Sequence, residues 1–350
     1  MLIIHAADLH LSSPLTSLPS SVREIKKNAL NTSLIRIINL AKERSIKHIL
    51  LSGDVFDGDI IFDSVKKDFY STIKSNPDIT FYYLKGNHDK WTNLVEKVDN
   101  LITFSNKWEY HYIDNVCIAG MELDEDNRIK LNEGLKLNKD NYNILMLHGD
   151  INTQGTDYIN LNQLKNKLID YIALGHIHSF KSVEVDSRGV AVYSGCVEGR
   201  GFDECGKKGV VILDTDTNKY EFIPLSKSEI SVVDFDASAF SSTANLIIAL
   251  NESGLFKEGQ IYQLNLIGTK DNSNTIKPDH IVSGISSNSH IQVVDKRTIK
   301  LDLDELMMEH SLRGEFVRQV MQDCSISEEE KNEVIMHGLQ LINQGVITWN

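Results

Sequence analysis

Asp8 and His10, Asp54 and Asp57, Asn87 and His88, His148, and His176 with His178 form an ordered series within the first 180 residues of a 350-residue chain. Each stands just past the carboxyl end of an apolar run that reads as a β-strand, which is where open α/β sheets place ligand sites. The i,i+2 spacing of Asp8/His10 and His176/His178 aims both members of each pair to one face if the extended conformation persists. Imidazole, carboxylate and carboxamide donors in such a mixture suit Mn²⁺, Fe or Zn²⁺ better than an all-oxygen Mg²⁺ or Ca²⁺ cage. A single D-x-H match is weak, because it arises by chance roughly once in a chain of this size. The ordered set D-x-H, G-D-x-x-D, G-N-H-D, H-G-D, G-H-x-H is far more specific. Helix caps and turns would account for the Asp and Asn positions, but not for histidines falling in register with strand ends.

The elements that must position these groups follow from hydrophobic periodicity. Strands are expected at LIIHA (2–6), HILLSG (48–53), TFYYLKG (80–86), CIAGMEL (117–123), NILMLHG (143–149), DYIALGH (170–176), VAVYSG (190–195) and GVVILDT (209–215). One helical pattern runs over 21–45 and another lies near 59–75. The order begins βαβαβ and becomes strand-rich, which predicts stacked sheets with helices outside. The character changes near Ser226. A small α/β domain is expected over 228–303, and two amphipathic helical patterns over 304–350, the second opened by a capping box of Ser327 and Glu330. Within the site loops, Gly86 is expected to let the chain turn past its strand, and Asp89 and Asp150 to brace turns; His5, His48 and His111 read as structural.

Composition sets the outer limits. With 41% hydrophobic and 24% charged residues the chain is an ordinary globular protein, too apolar to be disordered. It has no run near the ~18 apolar residues a membrane span needs, and its start lacks a secretory pattern, so the expected compartment is the cytoplasm. Four cysteines without CxxC spacing predict packing residues rather than a disulfide framework or a zinc knuckle. A formal charge of −13 argues against a broad electrostatic grip on nucleic acid, so a phosphate substrate would have to be attracted locally.

The motif series resembles that of the calcineurin-like metallophosphoesterases. That resemblance implies a four-layer α/β/β/α sandwich over 1–227, with a small α/β capping domain and C-terminal helices after it. It implies one ion on Asp8, His10, Asp54 and His178, and a second on Asp54, Asn87, His148 and His176, with Asp54 between them. A shared carboxylate lowers the repulsion of two cations on the order of 3.5–4 Å apart, and the cluster's residual positive charge would attract a phosphodiester despite the acidic surface. The implied chemistry is in-line hydrolysis by a water activated between the ions, most simply Mn²⁺, with His88 protonating the leaving oxygen and Asp57 orienting His88.

Within the superfamily, Gly58 follows Asp57 where serine/threonine phosphatases carry an arginine that grips a phosphomonoester, which disfavours a monoesterase. HAADLHLSSPL, LSGDVFDGD and VYSGCVEGRGFDECGKKGV (192–210) look instead like the DNA double-strand-break repair exonuclease branch, the SbcD-like bacterial proteins. Cys196-Val197 departs from the proline-containing pair common there. The resemblance implies Mn²⁺-dependent 3′-to-5′ exonuclease and single-strand endonuclease activity, a homodimer, and docking of the C-terminal helices on an SMC-like coiled-coil ATPase. Arg200, Lys207 and Lys208 are candidate DNA-phosphate contacts. A phosphodiesterase of small or cyclic nucleotides and a mainly structural adaptor for the ATPase are the alternatives.

Overall fold

The structure is a computed structural model that describes residues 1–58, 61–89, 97–152, 155–270, 276–300 and 303–344. Residues 59–60 of the expected helix, 271–275 and 301–302 of the expected small domain and 345–350 of the expected terminal helical segment lie outside these.

The fold is α/β, with sheets flanked by helices. One six-stranded sheet has the order β12-β11-β1-β2-β3-β4, from β1 (Leu2–Ala6), β2 (His48–Ser52), β3 (Thr80–Leu84), β4 (Leu101–Thr103), β11 (Gly209–Asp214) and β12 (Lys219–Pro224). Strands β1 to β4 run parallel, and β11 and β12 add antiparallel edges. The second sheet has the order β5-β6-β7-β8-β10-β9, from β5 (Glu109–Ile113), β6 (Val116–Gly120), β7 (Tyr142–His148), β8 (Tyr171–Gly175), β9 (Lys181–Glu184) and β10 (Val190–Tyr193). Its four central strands are parallel.

The continuous apolar runs seen in the sequence have a direct cause, since these strands are covered on both faces. Ile3, Leu50, Tyr82 and Leu84 of the first sheet pack with Ile118, Ile144, Met146, Tyr171 and Ala173 of the second. The alternate residues Ile4, Ile49, Leu51, Phe81 and Tyr83 face outward onto helices α2 (Ser33–Glu43) and α3 (Asp63–Lys74). On the far side, Leu145, Leu147, Ile172 and Leu174 are covered by Leu131, Ile159 and Leu164, from loops that hold only single 3₁₀ turns at Arg128–Lys130 and Leu161–Gln163.

The single helical pattern over 21–45 is two helices, α1 (Ser20–Asn31) and α2. At the break, the Thr32 hydroxyl donates to the carbonyls of Asn28 (2.8 Å) and Ala29 (3.2 Å), and so takes up acceptors that the helix would otherwise use. Helix α1 also buries Lys26 completely, its ammonium 2.5 Å from the Glu198 carboxylate, which in turn accepts from Arg36 and from the Lys227 amide. This network anchors the segment after β10 from its outer side.

His5 occupies the seam between the sheets, fully buried, with Nδ1 2.9 Å from the Tyr171 hydroxyl. Burial pushes its imidazole down to about 3. The folded state keeps His5 neutral while the unfolded chain takes up a proton below about pH 6.5, so this contribution is present above that pH and is lost as pH falls toward 3. The slope reaches up to about 1.4 kcal/mol per pH unit. The melting temperature is expected to fall between pH 7 and pH 5, and to fall less in His5→Phe. Equal slopes by scanning calorimetry would assign the effect to another group.

Further strands are β13 (Ile230–Asp236), β14 (Ile261–Ile267) and β16 (His290–Asp295), which form a three-stranded sheet in the order β13-β14-β16, while β15 (Thr269–Lys270) and β17 (Thr298–Ile299) pair over two residues. Helices α4 (Thr243–Glu252) and α5 (Pro278–Gly284) accompany them. Contacts divide the chain into one compact unit of Met1–Val233, Gly254–Leu264 and Ser286–Gln292, and another of Asp234–Ser253, Asn265–Ile285 and Val293–Asn350. Where two terminal helical patterns were expected there are three helices, α6 (Leu303–Met308), α7 (Leu312–Gln322) and α8 (Glu328–Gln344), around Leu306, Val317, Ile335 and Leu339. Ser311 caps α7 by accepting from the Gly314 amide at 3.2 Å, and so ends the first pattern early. Ser327 and Glu330 exchange side-chain and backbone bonds as a capping box does. No helix among the described residues is long and apolar enough to cross a membrane.

Candidate metal centre

The ends of β1, β2, β3, β7 and β8 converge, and with them the residues singled out in the sequence. Two backbone bonds extend the β1/β2 pairing past the strands, from the Asp8 amide to the Gly53 carbonyl and from the His10 amide to the Asp54 carbonyl, each 3.0 Å. These ties hold Asp8, His10 and Asp54 in the left-handed region, with φ of 52°, 46° and 50°; His176 has φ 103°. Non-glycine residues reach that region at a cost of about 1–2 kcal/mol each.

Asp8, His10 and His178 offer ligand atoms within 4.8 Å of one another, as do Asp8, Asp54 and His148, and His10, Asp57 and His88. Asp8 therefore borders both of the first two groups, alongside the Asp54 expected between the ions. The Nε2 atoms of His10 and His178 face each other at 3.1 Å, and His178 Nδ1 is 2.7 Å from the Glu204 carboxylate. A carboxylate only accepts, so Nδ1 carries the hydrogen and Nε2 presents its lone pair. In the second group, His148 Nδ1 donates to the Ser52 carbonyl at 2.9 Å, which leaves Nε2 aimed at Asn87 Oδ1 (3.0 Å) and Asp54 Oδ2 (3.2 Å). Asn87 Oδ1 is also 3.3 Å from His176 Nδ1.

A lone pair crowded by two acceptor oxygens calls for a proton or a cation. The same holds for the carboxylates: Asp8 and Asp54 are each about 1% exposed, and no described lysine or arginine pairs with either. A buried carboxylate without a permanent positive partner is costly. Burial opposes the charge on Asp54, but His148 outweighs it and holds the carboxyl well below its usual range. Burial likewise lowers His148, yet Asp54 raises it to about 9. This donor set therefore fits divalent cations: Asp8, His10 and His178 form one group able to hold an ion and Asp8, Asp54 and His148 another, with Asn87 and His176 bordering the second.

Around this cluster the residues play unequal parts. His88 is 44% exposed over the group, with Nδ1 3.1 Å from Asp57 Oδ1, and its own amide donates to Asp54 Oδ1 at 2.8 Å. The hydrogen bond that His88 donates to Asp57 raises the His88 pKa against the effect of burial. Asp89 is buried and accepts the amides of Val55, Phe56 and Gly86, a turn brace whose carboxyl burial pushes up to about 6. Asp150 accepts from the Asn152 amide at 2.7 Å. Gly86 does not have the positive φ of a sharp turn. A Cβ there would strike the Asp54 carboxylate, so its role is to admit that carboxylate. Gly53, at φ +89°, makes room in the same way for the His148 ring.

The candidate phosphate contacts are placed differently from one another. Arg200 is 19% exposed and turns inward, donating to Asp57 Oδ2 at 3.1 Å and to Glu204 Oε1 at 2.9 Å. Lys208 is 4% exposed and donates to the His178 carbonyl at 2.8 Å. Both are thus committed within the protein, and only Lys207 is open to solvent. Glu204, to which the sequence analysis assigns no chemical role, stands directly behind His178. Its place in the 192–210 motif was the available signal. All four cysteines are free, with Cys117 and Cys196 buried.

Residues 1–180 match the family model described as calcineurin-like phosphoesterase. The chain belongs to the calcineurin-like phosphoesterase family. Members of that family hydrolyse phosphoesters with divalent metals, which agrees with the donor set above. A curated relative, the uncharacterized metallophosphoesterase YhaO of Bacillus subtilis, is 28% identical over 247 residues, which span 63% of this chain and 59% of that protein. A crystal structure of 5′-nucleotidase from Candida albicans aligns at 14% identity with a TM-score of 0.33, covering 65% of this chain and 50% of that one, a likeness too slight to inform the chemistry.

Proposed function

We propose that this calcineurin-like phosphoesterase cleaves phosphodiester bonds in DNA, as the nuclease partner of an SMC-like coiled-coil ATPase. Two divalent ions, Mn²⁺ in this reading, would polarise the phosphoester and supply a water deprotonated at neutral pH. His88 protonates the departing oxygen, and Asp57 fixes the ring and its tautomer through Nδ1. Asp54, Asp8 and the histidines keep the phosphate registered in line with His88.

The observation that carries a diester over a monoester is the engagement of Arg200. Its guanidinium is held by Asp57 and Glu204, and Gly58 occupies the position after Asp57, so neither presents a fork to the second negative charge of a monoester dianion. DNA as the substrate rests on the similarity of residues 192–210 to the repair exonuclease branch. Exonuclease action from the 3′ end, single-strand endonuclease action, a homodimer and a cytoplasmic setting belong to the same reading. So do a capping role for 228–303 and partner docking by 304–350, where Met308 and Leu312 are 81% and 73% exposed.

Purified protein with Mn²⁺ is expected to degrade linear DNA and bis(p-nitrophenyl) phosphate, and to turn over p-nitrophenyl phosphate about 100-fold more slowly. Hydrolysis of a cyclic nucleotide with none of DNA would move the substrate to small nucleotides. Preference for the monoester would reject the diesterase reading.

A further inference from the structure

His10 and His178 share a feature that His148 lacks. Behind each ring of the first pair, on the Nδ1 side, stands a carboxylate: Glu204 at 2.7 Å from His178 and Asp57 at 3.7 Å from His10. The second distance is too long for a hydrogen bond but close enough for charge to act. Behind His148 there is only the neutral Ser52 carbonyl, and His176 Nδ1 meets the Asn87 amide oxygen.

One side chain joins the two carboxylates. Arg200 donates from Nη1 to Asp57 Oδ2, and from Nε and Nη2 to Glu204 Oε1, while its own amide donates to Glu204 Oε2 at 2.8 Å. Its Nη2 also lies 3.2 Å from His178 Nδ1, a contact between two donors that packs the guanidinium against the ring without bonding it. The local chain is shaped for this. The Glu204 amide donates to the Gly201 carbonyl at 3.0 Å, which folds Glu204 back onto Arg200, and Ser17 Oγ donates to the Arg200 carbonyl at 3.1 Å. A Cβ on Gly201 would collide with Asp203 and Ser17.

We infer that Arg200 and Glu204 are positioning residues that brace His10 and His178 and thereby set the affinity of one ion position, the one on Asp8, His10 and His178, leaving the other independent of them. This rests on the two-ion reading above. Two Nε2 atoms on a common ion at about 2.0–2.1 Å stand roughly 3.0–3.4 Å apart, so the observed 3.1 Å already matches the spacing of two ligands on one ion. A carboxylate behind a ligating imidazole fixes its tautomer and strengthens it as a donor, an outer contact whose loss typically costs about 10–100-fold in metal affinity. Arg200 also binds the oxygen of Asp57 opposite His88, so the same clasp reaches the proton donor.

The test separates the two positions. Mn²⁺ binding is measured by equilibrium dialysis on the full chain in two single-position backgrounds: His148→Ala, which retains the braced position, and His10→Ala, which retains the other. Glu204→Gln, an isosteric change that spares folding, is expected to weaken Mn²⁺ about 10–100-fold in the first background and less than about threefold in the second. Arg200→Lys should follow the same pattern with a smaller loss, because the ammonium keeps the charge without the two-sided fork. Equal losses in both backgrounds, or none in either, would overturn the inference. Fewer than two Mn²⁺ per parent chain would instead overturn the two-ion reading on which it stands.

Discussion

Replacing His88 by alanine is expected to lower turnover of DNA by about 10²–10⁴-fold while two Mn²⁺ remain bound. The ring projects over the cluster, whereas the bond that ties this loop to Asp54 comes from the His88 backbone amide and survives truncation of the side chain. If His88 delivers a proton, the loss must depend on the leaving group. An alkoxide needs the proton badly and p-nitrophenolate hardly at all, so bis(p-nitrophenyl) phosphate should lose about tenfold or less. Equal losses on both substrates would reduce His88 to a binding residue. The pH profile gives an independent reading. Asp57 raises the His88 pKa, so the proton persists to higher pH and activity is lost as pH climbs through that value. Asp57→Asn removes the charge and should move the alkaline limb of kcat to lower pH. An unmoved limb would assign it to another group.

Asp54→Asn is expected to be still more damaging, with activity down by about 10³-fold or more and metal content reduced. One carboxylate oxygen faces His148 Nε2 and the other accepts the His88 amide, so a single side chain would border the cations, a candidate ligand and the loop of the proposed proton donor. An amide is nearly isosteric but removes the negative charge and turns donors toward His148. The candidate ligands follow β1, β2 and β3 of one sheet and β7 and β8 of the other, so ions bound there would stitch the two sheets together. Adding Mn²⁺ should therefore raise the melting temperature of the parent by mass action and leave that of Asp54→Asn nearly unchanged. Equal gains by calorimetry, with full metal content in the variant, would remove Asp54 from the ligand set.

Much of the first half of the fold was legible because strands buried on both faces are written as unbroken apolar runs, and β1, β2, β3, β7, β8, β10 and β11 lie where those runs do. Polar groups stationed at their carboxyl ends then had few explanations besides a ligand site. The break between α1 and α2 was hidden, since Thr32 interrupts the helix through a hydroxyl bond that leaves the hydrophobic period intact. The cover over the second sheet was unreadable for the opposite reason, because loops with single 3₁₀ turns carry no period. Arg200 marks another limit. Sequence announces a positive charge near a phosphate chemistry, but not which way its fork points, and here the inward carboxylates Asp57 and Glu204 decide it. Gly86 was correctly singled out, yet for φ rather than for the volume that Asp54 needs.

The left-handed backbone at Asp8, His10, Asp54 and His176 bears on how such a protein ages under mutation. At these four positions glycine would relax the chain and at the same time remove a candidate ligand. Selection for stability alone pulls toward an inert descendant, and each generation that keeps the side chains does so against that pull.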